Sequence, residues 1–145
     1  MGQVIMGYKM TLLIIGAGSI GLLMATYLAK CGKKVEIFPN SEVRLALSKH
    51  PLVVYSPTSI VQRFPQITCA PLFSSSESQD DQVSDYEAVI IASKAYSLNQ
   101  ICRQYRRFLQ SQDVIFLLQN GIGNEKVLLT HFPQMNLVRI LTTDR

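Results

Sequence analysis

Residues 11–21 read Thr-Leu-Leu-Ile-Ile-Gly-Ala-Gly-Ser-Ile-Gly, an apolar segment that runs directly into glycines spaced as G-x-G-x-x-G. An apolar helical pattern follows from Leu22 to Lys30 and is closed by Gly32. A strand, a glycine turn and a helix in this order are typical of a unit that binds a dinucleotide, whereas the glycines alone would be a weak signal. The context therefore predicts a dinucleotide site at this turn.

Each glycine of the turn has its own predicted role. Gly16 makes the tight turn, Gly18 lets the backbone approach a pyrophosphate, and Gly21 lets the helix pack closely against the strand. The N–H groups and the positive dipole end of the new helix then face the anion. The predicted cofactor contacts of this turn are Gly16, Ala17, Gly18, Ser19, Ile20 and Gly21. A glycine-rich turn that binds no ligand is the alternative interpretation.

Length and composition limit the classes of function that the chain can have. Its 145 residues suit one domain with a sizeable core, and 48% of them are hydrophobic. The net charge of +4 suits an anionic cofactor, but the positive residues are too dispersed to predict a nucleic-acid groove. Cys31, Cys69 and Cys102 lie far apart without a C-x-x-C pair, so we expect reduced thiols packed as small hydrophobes and no metal site.

An uncharged stretch from residue 10 to residue 29 has the hydropathy of a signal peptide or a membrane span. Its glycines argue against a continuous helix, and a buried strand followed by a buried helix gives the same average hydropathy. N-terminal myristoylation is not expected either, since Met6 stands where the motif needs serine or threonine. We therefore expect a soluble, cytoplasmic protein that does not bind membranes.

Strand and helix patterns alternate along the chain. We predict strands at residues 10–15, 34–38, 52–55, 87–92, 113–118 and 137–141. We predict helices at residues 19–31, from an N-cap at Ser41 to Pro51, over 98–109 and over about 124–132. This alternation indicates the α/β class, with a Rossmann-type doubly wound, mainly parallel sheet that has helices on both faces. Short strands near 60–64 and 67–70 fit the pattern less clearly, and residues 74–82, which lack apolar side chains, predict a mobile loop.

The pattern over residues 98–109 is the clearest amphipathic helix in the chain. One face carries Leu98, Ile101, Cys102, Tyr105, Phe108 and Leu109. Arg103, Arg106 and Arg107 lie largely on the other face, which we interpret as solvated rather than as a basic docking patch.

Ligands bind beyond the carboxyl ends of the strands in open α/β sheets, and three predicted strand ends carry distinctive residues. One of these ends is the glycine turn. The second carries Ser93 and Lys94, and Lys94 is placed to meet a phosphate or a ribose unless it is an ordinary solvated lysine. The third carries Asn120, which offers a donor and an acceptor to a ribose, amide or carbonyl. An asparagine before Gly121 is equally typical of a turn.

Residues 11–32, 87–94 and 118–125 together resemble the cofactor domain of the ketopantoate reductases (2-dehydropantoate 2-reductases). The most specific part is Gln-Asn-Gly-Ile-Gly-Asn-Glu at residues 119–125. The resemblance covers most of the chain and is thin over residues 56–86. It implies NADPH-dependent reduction of 2-dehydropantoate to pantoate, a step toward pantothenate. The implied partner is a small keto acid, with a homodimer as an open alternative to a monomer.

The resemblance also implies roles for individual residues. Gly16, Gly18 and Gly21 lie on the pyrophosphate, and Lys94 binds the cofactor. Asn120 is the catalytic position, where it meets both the nicotinamide ribose and the substrate.

The sequence departs from the family pattern after the second strand. The family's arginine for the 2′-phosphate aligns with Asn40, and no acidic residue stands there to bind the ribose hydroxyls of NAD. Glu36 lies too early, within the strand, and we interpret it as structural. Arg44, one helical turn further on, is a candidate replacement. Asn40 and Arg44 are therefore predicted cofactor-binding residues, and the expected cofactor is NADP.

Reductases of this family resemble one another in having a helical second domain that supplies a general-acid lysine and most substrate contacts. We expect residues 1–145 to be the dinucleotide-binding domain without that helical domain, and to be inactive alone. Reduction of a ketone by hydride needs a positioned proton donor. His50 and His131 do not supply one, because both fall at predicted helix ends away from the predicted cleft.

Two other functions stay open at this point. A related reductase of another 2-keto or 2-hydroxy acid would have the same cofactor domain, since the second domain selects the substrate. A nucleotide-sensing module, such as the ligand-binding domains of potassium-transport regulators, begins with the same strand, glycine turn and helix. Such modules usually end the second strand on an acidic residue, which residues 38–40 lack, and they do not explain residues 119–125.

Overall fold

The computed structural model describes residues 11–55, 57–58, 61–71 and 86–142. Its strands are β1 (Thr11–Ile15), β2 (Lys34–Phe38), β3 (Leu52–Tyr55), β4 (Val61–Phe64), β5 (Ile67–Cys69), β6 (Ala88–Ile91), β7 (Ile115–Leu118) and β8 (Leu137–Ile140). Its helices are α1 (Ser19–Lys30), α2 (Ser41–Lys49), α3 (Leu98–Gln104), α4 (Arg106–Gln110) and α5 (Asn124–His131), with a short 3-10 helix, Ala95–Ser97, before α3. The loop predicted at 74–82 lies outside the described residues.

The main sheet contains six strands in the order β5-β2-β1-β6-β7-β8, and every neighbouring pair is parallel. Counted along the chain, these strands follow the order 3-2-1-4-5-6 of dinucleotide-binding folds. The predicted doubly wound α/β class is therefore confirmed. The less clear strands near 60–64 and 67–70 are present as β4 and β5. β3 pairs with β4 in an antiparallel hairpin outside the main sheet.

Helices cover both faces of the main sheet, so its central strands β1 and β6 are apolar and buried apart from Thr11, which is only partly buried. Leu13 and Ile15 of β1 belong to a core that includes residues of α3, α4 and α5, whereas Ile14 belongs to a second core with α1 and β2. All four residues of β6 are buried. Full burial of a Leu or Ile side chain stabilises a fold by about 1.5–3 kcal/mol, so the two cores fix the position of β1 and β6 at the centre.

The uncharged stretch near the start of the chain divides into β1 and α1, as its glycines indicate. The helix α1 has 12 residues. No helix in the part of the chain that the structure describes is both long enough and apolar enough to cross a membrane.

The helix predicted over 98–109 is interrupted. It divides into α3 and α4 at Tyr105, whose backbone angles (φ −111°, ψ 27°) lie outside the helical range. The six apolar residues of the predicted face are nonetheless all buried, and the three arginines of the other face are exposed. The Tyr105 ring packs edge-on against Phe38 of β2, with ring centroids 4.9 Å apart. The spacing of apolar residues predicts the buried face correctly but does not reveal this break.

The start of α2 also differs from the prediction. Its N-cap is Asn40 and not Ser41, because the Asn40 Oδ1 atom accepts a hydrogen bond from the Val43 N–H at 2.9 Å. Ser41 is the first residue of the helix. The asparagine that aligns with the family's arginine therefore has a structural role as a helix cap.

The cysteines of the chain are free thiols, and they differ in burial. Cys102 is packed in the core, where burial raises the pKa of its thiol to about 11. Cys69 is partly buried and Cys31 is exposed. The expectation that all of them are packed as small hydrophobes is therefore wrong for Cys31.

Candidate functional site

The carboxyl ends of β1, β6 and β7 lie side by side at one edge of the main sheet. This edge is where ligands bind in open α/β folds. It brings together the glycine turn, Lys94 and Asn120, which is what the sequence predicts. β2 ends beside β1 on the other side, so Asn40 and Arg44 lie beyond the end of that neighbouring strand.

Two glycines of the turn are required by close backbone contacts. Gly16 has φ +111°, and a Cβ on it would lie 2.6 Å from the Ser93 backbone nitrogen. A Cβ on Gly21 would lie 2.1 Å from the Gly16 carbonyl oxygen. Gly16 therefore packs the turn against the end of β6, and Gly21 packs α1 against the turn.

Gly18 differs because its surroundings are open. A Cβ there would meet nothing within 4 Å among the described residues, and its φ of −75° suits any residue. α1 has no side-chain N-cap and no acidic residue in its first turn. In contrast, α2 is capped by Asn40 and has Glu42 in its first turn. Among the described residues, the N-terminus of α1 is therefore uncapped, and an uncapped helix N-terminus can bind an anion.

Ser93 joins the three strand ends. Its backbone packs against Gly16, and its carbonyl oxygen accepts a hydrogen bond from the Gln119 Nε2 atom at 2.7 Å. The Ser93 hydroxyl oxygen lies 3.2 Å from the same nitrogen. Gln119 is only 5% exposed, and its Oε1 atom is buried without a hydrogen-bond partner in the described part of the chain. The Gln119 side chain thus holds the segment after β6, which carries Lys94, against the segment after β7, which carries Asn120.

We expect Gln119→Glu to destabilise the chain more at about pH 8 than at about pH 5. A protonated carboxyl can still donate to the Ser93 carbonyl oxygen, but a buried carboxylate cannot, and burial raises the pKa of the new group. The free energy of unfolding, relative to wild type, should therefore fall by about 1–3 kcal/mol as the pH rises through that raised pKa. Denaturant unfolding at both pH values measures the change.

Gln119→Leu is the matched control, because it removes the donor without adding a titratable group. Its loss of stability should be the same at both pH values. If Gln119→Glu also loses the same stability at both pH values, the role of the Gln119 NH2 group as a donor is contradicted.

The turn after β7 is held by side chains of β8 and the residues that follow it. The Thr142 hydroxyl donates a hydrogen bond to the Asn120 Oδ1 atom at 2.8 Å. Arg139 pairs with the Glu125 carboxylate at 3.1 Å and also donates to the carbonyl oxygen of Gly121. Asn120 itself is exposed at the edge of the sheet. Its position is therefore fixed by contacts from the neighbouring strand.

The sequence pattern alone gives no role in the site to Ser93, Arg139 or Thr142. Ser93 and Thr142 both lie just beyond the carboxyl end of a predicted strand. Their position is the signal that could have identified them, because residues that follow parallel strands meet at the same edge of the sheet. No comparable signal marks Arg139, which lies within β8.

Arg44 is engaged with protein atoms beyond the end of β2. Its Nη1 atom donates to the Ala70 carbonyl oxygen at 2.7 Å, and its guanidinium carbon lies 5.4 Å from the centre of the Phe38 ring. Burial raises the pKa of Tyr105, and the positive charge of Arg44 partly offsets this rise. The Nη2 atom of Arg44 is buried and has no hydrogen-bond partner among the described residues. Arg44 thus connects β2, the end of β5 and the junction of α3 with α4.

Other polar residues lie outside this arrangement. The Tyr86 hydroxyl donates to the Glu36 Oε2 atom at 2.7 Å, which supports the interpretation of Glu36 as structural. His50 is exposed at the C-cap of α2, and His131 is in the last turn of α5, where its Nε2 atom lies 3.1 Å from Asn99 Oδ1.

The strand order, the glycine turn before the open N-terminus of α1 and the three joined strand ends define a Rossmann-type NAD(P)-binding domain. The chain belongs to the ketopantoate reductase PanE/ApbA family, whose family model matches residues 12–145. The resemblance found in the sequence is therefore confirmed.

The individual relatives described here are at most 28% identical in sequence to this chain. The uncharacterized oxidoreductase YkpB of Bacillus subtilis is 28% identical over 125 residues, which cover 86% of this chain and 38% of that protein. A 2-dehydropantoate 2-reductase from Geobacter metallireducens has a TM-score of 0.64 at 21% identity, covering 92% of this chain and 46% of that one. A D-mandelate dehydrogenase bound to NADH and anilino(oxo)acetate has a TM-score of 0.70 at 18% identity, covering 88% of this chain and 39% of that one. The chain spans less than half the length of each of these relatives.

Proposed function

We propose that this chain is the NADP-binding domain of a reductase that converts 2-dehydropantoate to pantoate, acting as part of a longer protein. Membership of the PanE/ApbA family supports the reaction class. The observation that carries the proposal is the open space in front of Gly18, next to the uncapped N-terminus of α1. That position suits a pyrophosphate, because the first N–H groups of a helix have no partner within the helix and the positive end of its dipole lies there.

The residues at the neighbouring strand ends hold the rest of the cofactor in this proposal. Lys94, exposed after β6, provides a positive charge toward the phosphate or the ribose. Asn120, exposed after β7, binds the nicotinamide ribose and the carbonyl of the keto acid. The bound cofactor supplies the hydride for the reduction. The contacts of Ser93 with Gly16 and Gln119 keep the loops that carry these side chains in a fixed relation.

The choice of NADP over NAD rests on the residues that follow β2. Phe38-Pro39-Asn40-Ser41 contains no carboxylate to bind the ribose hydroxyls of NAD. Arg44 supplies positive charge nearby, and its Nη2 atom, although buried, has no hydrogen-bond partner among the described residues. One charge-assisted hydrogen bond contributes about 1.5–3 kcal/mol. We therefore propose that NADPH binds about ten- to a hundredfold more tightly than NADH.

We expect Asn40→Asp to weaken NADPH binding by about tenfold or more while leaving NADH binding unchanged or stronger. Aspartate caps a helix as well as asparagine does, so α2 keeps its N-cap and the fold is preserved. The new carboxylate would repel the 2′-phosphate and could accept hydrogen bonds from the ribose hydroxyls of NADH. Dissociation constants for both cofactors, measured by calorimetry, report the change.

Asn40→Ser is the control, because it keeps an N-cap side chain without a charge. It should leave the ratio of the two dissociation constants close to that of wild type. An unchanged ratio in Asn40→Asp, or a wild-type chain that prefers NADH, would contradict the proposed NADP site.

We expect the 145-residue chain alone to show no measurable oxidation of NADPH that depends on 2-dehydropantoate. The roles proposed for Lys94 and Asn120 are to hold cofactor and carbonyl, not to protonate the alkoxide. A general acid typically contributes about 10²–10⁴-fold to such a reaction. Absorbance at the NADPH band follows the reaction. Steady oxidation that requires 2-dehydropantoate and is lost in Asn120→Ala would overturn this expectation.

A further inference from the structure

The side chain of Asn120 is oriented by a contact that follows from the register of the sheet. Leu118, the last residue of β7, pairs with Ile140, the last residue of β8, in the parallel register. Asn120 and Thr142 each lie two residues beyond this pair, so both leave the sheet at the same level. Their side chains meet there, and the Thr142 hydroxyl donates to the Asn120 Oδ1 atom at 2.8 Å.

This hydrogen bond gives different roles to the oxygen and the NH2 group of the Asn120 amide. A side-chain amide offers one carbonyl oxygen and one NH2 group. Thr142 engages one lone pair of the oxygen and holds that atom toward the residues that follow β8, so the NH2 group lies on the other side of the amide from this contact. The sequence left open whether Asn120 donates or accepts, and the contact with Thr142 favours donation.

The turn that carries Asn120 is also tied to β8 independently of Thr142. Arg139 pairs with Glu125 at 3.1 Å and donates to the carbonyl oxygen of Gly121. Arg139 and Glu125 are each about one quarter exposed, with side-chain exposures of 27% and 28%. The backbone of the turn is therefore held by Arg139, whereas Thr142 acts on the orientation of one side chain.

We propose that Thr142 is a positioning residue that fixes the Asn120 amide so that its NH2 group donates to the nicotinamide ribose or to the carbonyl oxygen of the keto acid. This role rests on the proposed function, since it assigns the nicotinamide half of the cofactor to the edge beyond β7. Thr142 acts through Asn120 and does not itself contact the cofactor.

The test compares two substitutions at Thr142 with two ligands. Thr142→Val removes the hydroxyl and keeps the shape, whereas Thr142→Ser keeps the hydroxyl. NADPH reports on the whole cofactor site, and 2′,5′-ADP reports only on the adenine half, which lies toward β2 in this proposal. Calorimetric titration of the full chain gives the dissociation constant of each ligand.

We expect Thr142→Val to weaken NADPH binding by about three- to tenfold, the effect of one poorly aligned neutral hydrogen bond. Binding of 2′,5′-ADP should not change, and Thr142→Ser should bind NADPH like wild type. In an Asn120→Ala background, Thr142→Val should cause no further loss. An unchanged NADPH affinity, an equal loss for both ligands, or a failure of serine to restore binding would overturn the role.

The side-chain NH2 resonances of Asn120, measured by NMR without any ligand, separate this inference from the proposed function. They should shift in Thr142→Val and not in Thr142→Ser. If they do not shift in Thr142→Val, the orienting contact is wrong, whatever the chain binds. If they shift as expected but the wild-type chain binds neither ligand, the proposed function is wrong, and the assignment of Thr142 to cofactor binding fails with it.

Discussion

Gly18→Leu is expected to abolish NADPH binding while leaving the chain folded. The Gly18 backbone has φ −75°, and a Cβ there meets nothing within 4 Å among the described residues, so leucine fits without strain. Its side chain would fill the space in front of α1 where we place the pyrophosphate. Loss of two or more backbone hydrogen bonds to a charged group, at about 1.5–3 kcal/mol each, corresponds to about three orders of magnitude in affinity.

Calorimetry measures this loss, and thermal unfolding checks the fold. The substitution should cost at most about 1 kcal/mol of stability, because leucine is a poorer N-cap residue than glycine. Ala46→Leu is a suitable control, since it adds bulk on the exposed surface of α2. It should bind NADPH like wild type. Undiminished binding in Gly18→Leu would mean that the glycine turn does not hold the pyrophosphate.

Gly16→Ala, unlike Gly18→Leu, should destabilise the fold itself. Gly16 has φ +111°, and a Cβ on it would lie 2.6 Å from the Ser93 nitrogen and 2.8 Å from the carbonyl carbon of Ala92. Backbone strain of this kind costs about 1–3 kcal/mol, and overpacking against backbone adds about 1–3 kcal/mol. At about 3 °C per kcal/mol for a chain of this length, the midpoint of thermal unfolding should fall by about 6–18 °C.

The same substitution at Gly18 is the matched control for this effect. Gly18→Ala adds the same methyl group where φ is −75° and nothing lies within 4 Å in the described chain. Its unfolding midpoint should stay within about 3 °C of wild type. Equal midpoints for Gly16→Ala and Gly18→Ala would contradict the close packing of the turn against the end of β6.

The order of elements could be predicted from the sequence because most strands and helices of the main sheet have their own apolar pattern, with β5 the least clear. Residues 34–38, for example, were predicted as a strand with the bounds that β2 has in the structure. Strand pairing could not be predicted in this way, since the apolar pattern of residues 52–55 does not indicate which strand pairs with them. β3 pairs with β4 in a separate hairpin, and the three-residue β5 takes the place beside β2.

The break between α3 and α4 could not be predicted for a similar reason. The apolar residues of 98–109 keep a helical spacing, and they are buried as that spacing indicates. The break occurs where Tyr105 packs against Phe38, a residue that is distant in the sequence. Periodicity measures which side of a segment is apolar, and it contains no information about such a partner.

The site likewise contains features that the sequence predicts and features that it does not. The roles of Gly16 and Gly21 follow from the strand–turn–helix context, and the close contacts of both residues agree with them. The contact between Gln119 and Ser93 spans 26 residues of sequence, and that between Thr142 and Asn120 spans 22. Both depend on which strands are neighbours and in what register. The sequence therefore suggests residues that would touch a ligand, whereas the contacts that hold those residues in place depend on the pairing of the strands.

Calorimetric titration of the 145-residue chain with NADPH tests the central proposal most directly. We expect saturable binding of one NADPH per chain, with a matching rise in the unfolding midpoint as ligand is added, because a ligand that binds only the folded state stabilises it. A chain that is folded by circular dichroism but gives no binding heat, and whose unfolding midpoint does not change with NADPH, would contradict the assignment of this edge of the sheet as a dinucleotide site.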